Sequence, residues 1–289
     1  MYVSSFRVSS SRRGSWNYRQ RRTTVALNAN AAEKLSDNST NQIPVPSSAS
    51  QQTAQSAAAI QAAYKDGMRR QHVELLLPLI GATDLDDWPG GIRQQFKAAQ
   101  PLVEYILRTV KQSEGLQGPL ATAIWDQGDA VAAWTNTRLA AVLFPTAATM
   151  DKLKALVKKD GGPELLIVIN PQWETKGLMF GQSDFGFGPW RAESEALVAS
   201  LEPSYQFKQL RVYGDDVRLL KAHPGLWQVH VLGREGKSEL IGVQDMKPTY
   251  QQVEALLRAR PSSRMNMGLF DRLKDEYQWN QDSLKGPPT

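Results

Sequence analysis

The chain has 289 residues, with 34 Lys and Arg against 29 Asp and Glu, and no cysteine. Without cysteine there is no disulfide scaffold, no Cys-containing zinc site and no thiol nucleophile. The longest apolar runs, such as Leu165–Ile169, fall far short of the ~18 residues that span a bilayer, so the sequence predicts no transmembrane segment and at most peripheral membrane association.

The basic pI of about 9.3 is a property of the first residues. Arg7, Arg12, Arg13, Arg19, Arg21 and Arg22 precede the first acid, Glu33, and the rest of the chain carries 28 basic against 29 acidic residues. A near-neutral body lacks the positive surface that phosphate-backbone binding needs, so no nucleic-acid partner is expected. The Ser-, Arg- and Thr-rich, acid-free leader has no apolar stretch of signal-peptide length and reads as an organelle transit peptide over 1–32. Val25–Ala29 resembles a plastid processing site, which points to the chloroplast. Residues 33–52 hold mostly Ser, Thr, Asn, Gln, Ala and Pro, offer little to bury, and are expected to form a disordered linker.

The body is expected over 53–262. A helix from Thr53 to Gly67 places Ile60, Tyr64 and Met68 at helical spacing, and HVELLLPLI (72–80) alternates Val73, Leu75, Leu77 and Leu79 as a half-buried strand. After WPGG (88–91) a helix runs from Ile92 to Lys111, burying Phe96, Ala99, Val103, Ile106 and Val110, with a kink or break expected at Gln100 ahead of Pro101. ATAIW (121–125) and AAVLF (140–144) are short apolar runs, and Pro145-Thr146 opens a helix over 147–159 with Thr146 as its N-cap. ELLIVIN (164–170) has the continuous apolarity of a strand covered on both faces. Helices follow at Arg191–Leu201 and Tyr250–Ala259, separated by a hairpin of LWQVHVL (226–232) and ELIGV (239–243). A shorter helix at Leu269–Tyr277 lies in a C-terminal tail, 263–289. The alternation predicts a single α/β domain: a mostly parallel sheet, helices on both faces and an antiparallel edge hairpin.

Motifs for catalysis are missing. His72, His223 and His230 are scattered, and no HExxH or comparable metal shell exists. Asp184-Phe185-Gly186 copies a kinase tripeptide without the other kinase motifs, and no dinucleotide fingerprint, P-loop or GxSxG is present. The expectation is therefore no catalytic residue, metal or cofactor. Two clusters remain. Asp126, Asp129, Asn170, Gln172 and Trp173 all follow predicted strands, the edge where parallel sheets hold ligands; the same residue types also cap helices and end strands. Phe185, Phe187 and Trp190, set among glycines in GLMFGQSDFGFGPW (177–190), are the candidates for binding a protein partner; the alternative is a loop folded back on the sheet.

The order of AAYKDGMRRQHVELLLPL, WDQGDAVAAW, LAAVLFPT, LLIVINPQW, DFGFGPW and HPGLWQVHVL resembles a plastid and cyanobacterial domain-of-unknown-function family that includes Low PSII Accumulation Three, a photosystem II assembly factor. The resemblance covers roughly 55–260, with NPQW its most specific element. It implies a non-catalytic auxiliary factor in the stroma, partly associated with thylakoids, whose partners are photosystem subunits or the thylakoid insertion machinery. The alternative is a small-molecule or nucleotide-binding α/β protein, possibly enzymatic, with its site at the carboxyl edge of the sheet.

Overall fold

Strand β1, Arg70–Glu74, lies at the centre of a nine-stranded sheet of order β2-β3-β4-β5-β1-β6-β7-β8-β9. The structure is a computed structural model, which describes residues 42–77, 91–158, 161–173, 189–233 and 237–268. The other strands are β2 (Ala121–Asp126), β3 (Val131–Thr135), β4 (Leu139–Leu143), β5 (Leu165–Ile169), β6 (Glu202–Val212), β7 (Asp215–Ala222), β8 (Trp227–Leu232) and β9 (Ser238–Gln244). β4, β5, β1 and β6 pair in parallel. Antiparallel pairing flanks them on both sides, β2–β3–β4 at one and β6–β7–β8–β9 at the other. The α/β domain is thus a mixed sheet with a parallel centre, and β8–β9 forms the expected edge hairpin.

Helices cover both faces. On the first lie α1 (Ala49–Lys65) and α2 (Ile92–Val110), whose Ile60, Val103, Ile106 and Val110 share a core with Leu139, Leu143, Leu165, Ile167, Val73 and Tyr205. The intervening strand residues face the other way. Val142, Leu166 and Val168 pack with Leu153 of α3 (Met150–Lys158) and Leu197 of α4 (Pro189–Ala199). On that same face Val217, Leu219, Val229 and Val231 receive Val253 and Leu257 of α5 (Tyr250–Ala259). β5 reads as apolar throughout because both of its faces are buried, every residue being enclosed.

Several expectations change. The proposed linker over 33–52 is ordered from residue 43 on: Ile43 and Val45 pack against the first core, and α1 begins at Ala49, four residues ahead of Thr53. Its start is set by Ser48, whose hydroxyl accepts from the Gln51 N–H at 3.2 Å, an N-cap that contributes about 1 kcal/mol. α2 runs unbroken through Pro101. At the other end the domain continues past 262. Ser263 is fully buried, its hydroxyl donates to Asp215 at 2.5 Å, and the short 3-10 helix Arg264–Asn266 follows. The leader, the helix expected at Leu269–Tyr277, and Phe185 and Phe187 lie outside the described residues.

The amino ends of the central strands are tied by one carboxylate. Glu164, just before β5, receives the Tyr64 hydroxyl of α1 at 2.5 Å, the Arg138 guanidinium ahead of β4 and, at 3.7 Å, Arg69 ahead of β1. The carboxyl ends are free of this clamp, and there the candidate residues lie.

Candidate functional site at the carboxyl edge

The connections out of β1 and β5 leave toward opposite faces. From β1 the chain passes over the first face through α2 toward β2; from β5 it passes over the second through α4, across β1, to β6. The carboxyl ends of β1 and β5 are neighbours, so the topological switch point, where open α/β sheets form a ligand crevice, lies between them.

Asn170 closes that position. Its backbone N–H continues the ladder to the Val73 carbonyl at 2.9 Å. Its side-chain carbonyl then accepts from the Leu75 N–H at 2.7 Å, and its amide donates to the Leu75 carbonyl at 2.8 Å. One side chain thereby stands in for the missing next residue of the ladder. It does so from the left-handed region, φ +47°, which Asn enters more readily than most residues. The following residue of the chain is held from the other side. Gln52 of α1 accepts from the Leu76 N–H at 3.0 Å and donates to its carbonyl at 3.1 Å. Leu75 is 3% exposed, so without the Asn170 amide its backbone would be buried and unpaired, at a cost of about 1–3 kcal/mol per group.

Next to Asn170, Gln172 sends its backbone N–H to the Pro145 carbonyl at 2.8 Å and its side chain to the Asn170 carbonyl at 3.2 Å. Trp173 is buried in the core of the second face. Phe144, at the end of β4, is also left-handed, φ +55°, so two adjacent strand ends carry non-glycine residues in a costly conformation.

Asp126 and Asp129 lie at the same edge of the sheet but in the β2–β3 turn, three strands from β5 or about 14 Å away. Asp126 accepts from the Asp129 N–H at 3.0 Å, which is turn chemistry. Asn170, Gln172 and Trp173 therefore come together, while the two aspartates form a separate turn. Trp190 falls in the first turn of α4.

A charged trio adds to the residues the sequence pattern points to. Glu74, at the end of β1, faces the second side of the sheet, with His72 Nε2 at 3.1 Å and Lys208 Nζ of β6 at 2.9 Å from one carboxylate oxygen. Gln206, 1% exposed, donates to the His72 carbonyl at 3.3 Å. Burial opposes the charge on Glu74, but the hydrogen bond from His72 and the Lys208 ammonium outweigh it and hold its carboxyl below the usual carboxylate range. The available signal was a Glu inside the apolar run HVELLL; its partner lay on β6, which the sequence pattern did not reveal. The remaining histidines are structural in geometry. His223 Nε2 lies 2.7 Å from Asp66. His230 is buried, and burial together with Arg218 lowers its pKa to about 4, so it is neutral at pH 7. Among the described residues no group of three or more His, Asp and Glu is placed to hold a metal ion, and no helix is long and apolar enough to cross a membrane.

An open mixed α/β sheet, its switch point filled by the amide of Asn170, defines the class of protein. The chain belongs to the family described as Domain of unknown function (DUF1995), whose model matches residues 46–255. No curated protein and no solved structure matches it.

Proposed function

We propose that this protein is a non-catalytic auxiliary factor in photosystem biogenesis, most directly that of photosystem II, and that it acts by protein–protein contact in the chloroplast stroma or at the thylakoid surface. The resemblance of its sequence blocks to a plastid and cyanobacterial family that includes Low PSII Accumulation Three supports this process. The observation that favours contact over chemistry is the use of the polar residues at the switch point. Asn170, Gln52 and Gln172 spend their hydrogen-bonding groups on the protein's own backbone, and Asp126 caps its own turn. A catalytic constellation instead needs a nucleophile or base directed at substrate with a partner to orient it.

The experiment is affinity purification of the full chain from thylakoid extracts. Recovery of photosystem II core subunits or of the insertion machinery is expected, and recovery of neither would sink the reading. A second reading, a small-molecule site at the same edge, draws on the left-handed Phe144 and Asn170 and the half-buried Glu74 charge. A melting temperature that rises on adding nucleotides would favour that reading; the contact reading expects no rise.

A further inference from the structure

The two edges of the sheet are built differently. β9, at one end of the strand order, carries Glu239 held by Arg260 of the α5 C-terminus at 2.5 Å. α5 also lies over it, with Leu256 against Gly242. An ion pair and a covering helix are the usual protections of a free strand edge against pairing with other chains. β2, at the opposite end, carries no ion pair among the described residues, and its contact with α3 is at its end, where Lys152 donates to the Trp125 carbonyl. Ala121, Thr122, Ala123 and Ile124 are all exposed, Ile124 at 52%, and the run from Leu116 to Trp125 carries no charged residue. One side of β2 is paired to β3; among the described residues no strand pairs with the other side of Ala121–Ile124.

We propose that the β2 edge, Ala121–Ile124, is a docking strand for an extended, uncharged segment of a partner protein, which joins the sheet as a tenth strand. The inference rests on the contact reading above and names the mode of that contact. Backbone pairing supplies the affinity, and the two faces of β2 supply preference. Thr122 and Ile124 pair with Trp134 and Ala132 of β3 and share the α1–α2 face; Ala121 and Ala123 pair with Thr135 and Ala133 and share the other. A β-branched residue of the added strand fits beside Ile124, and a larger apolar one lies over the two alanines. The run offers no charged side chain to pair with charges on an added strand, so an uncharged segment suits it.

Geometry favours a flexible segment over a second copy of this chain. Rigid pairing of β2 with itself engages six residues a side, about 20 Å of edge and on the order of 400 Å² per partner. That is about half of the ~800 Å² per partner in stable interfaces. An unfolded segment follows the twist of the edge and continues beyond it.

The test uses the purified full chain and overlapping synthetic peptides tiling the photosystem II core subunits, with binding read by fluorescence polarisation and amide exchange. Uncharged, β-prone peptides are expected to bind and to slow exchange at residues 121–125. Thr122→Lys with Ile124→Lys is expected to weaken binding at least 10-fold without lowering the melting temperature, while Ile124→Val keeps it. Protection confined to another segment, binding unchanged by the lysines, or no peptide binding at all would overturn the proposal. So would a dimer in sedimentation that the lysines dissolve, since the occupant would then be a second copy. The two readings fail separately. If the lysine variant fully restores photosystem II in a line lacking the protein, the edge proposal fails and the biogenesis reading survives. If loss of the protein leaves photosystem II unchanged, the biogenesis reading fails and the peptide data alone judge the edge.

Discussion

Asn170→Ala is expected to destabilise the domain by about 3 kcal/mol in chemical denaturation. The substitution removes both hydrogen bonds to Leu75 and leaves an N–H and a carbonyl unpaired at a residue 3% exposed. It also puts alanine at φ +47°, where the Cβ meets the backbone and the local polar interactions that help Asn are gone. Asn170→Gly separates the two causes: it loses the same hydrogen bonds but relieves the backbone, so it should be less destabilised than the alanine variant by about 1 kcal/mol. Equal losses would show that the conformation is unimportant. A loss below ~1 kcal/mol in both would mean that Leu75 finds other partners and that the switch point is not held by this amide.

Glu74→Ala is the second large effect, expected at about 3 kcal/mol, because it strands the Lys208 ammonium on a mostly buried surface. Lys208→Met in the same protein should restore much of the loss, giving a coupling well above that of independent sites. The pH dependence follows from the same trio. The folded Glu74 carboxyl titrates below its ordinary value of 4.5, so its contribution to stability is fully present above that pH. It is lost as the pH falls through the lower, folded value. Wild-type stability should therefore fall more steeply on acidification below about pH 4.5 than that of Glu74→Gln, measured by urea denaturation across that range. Parallel pH profiles for the two proteins would refute the coupling.

The parts of the fold that were legible in the sequence are those where one periodicity holds along a whole element. α2 keeps Ala99, Val103, Ile106 and Val110 on one buried stripe, and β5 is apolar at every position because helices cover both faces. β6 and β7 were missed for a definite reason. Along β6, Tyr205 and Phe207 join the first core, but Leu210 and Val212 join the core under α5. Along β7, Val217 and Leu219 belong to the second and Leu220 and Ala222 to the first. Each strand changes buried face partway, so neither shows sustained alternation, and their turn, Tyr213-Gly214 with φ +49° and +91°, lacks the Asn-Gly or Asp-Gly signature of such hairpins. β3 is hidden for a different reason: the alanines of VAAWT suit a helix equally well.

For the site, position relative to strand ends was readable and partnership was not. Asn170 and Gln172 were placed at the carboxyl edge from sequence order alone. That Asn170 serves Leu75, 95 residues earlier in the chain, depends on β5 lying beside β1, a long-range pairing with no local trace. Asp126 was grouped with Asn170 because both follow strands; the order β2-β3-β4-β5 puts two strands between theirs. The Glu74–Lys208 pair required β6, and so fell with it.

The measurement closest to the central claim is photosystem II core-subunit accumulation in a line lacking this protein, complemented with the wild type or with Asp126→Asn together with Asp129→Asn. A role in biogenesis by contact predicts reduced photosystem II in the null line and full restoration by both proteins, since among the described residues the Asp126 carboxylate holds its own turn. Unchanged photosystem II in the null line would contradict the account, as would loss of complementation by Asp126→Asn alone in a stably folded protein.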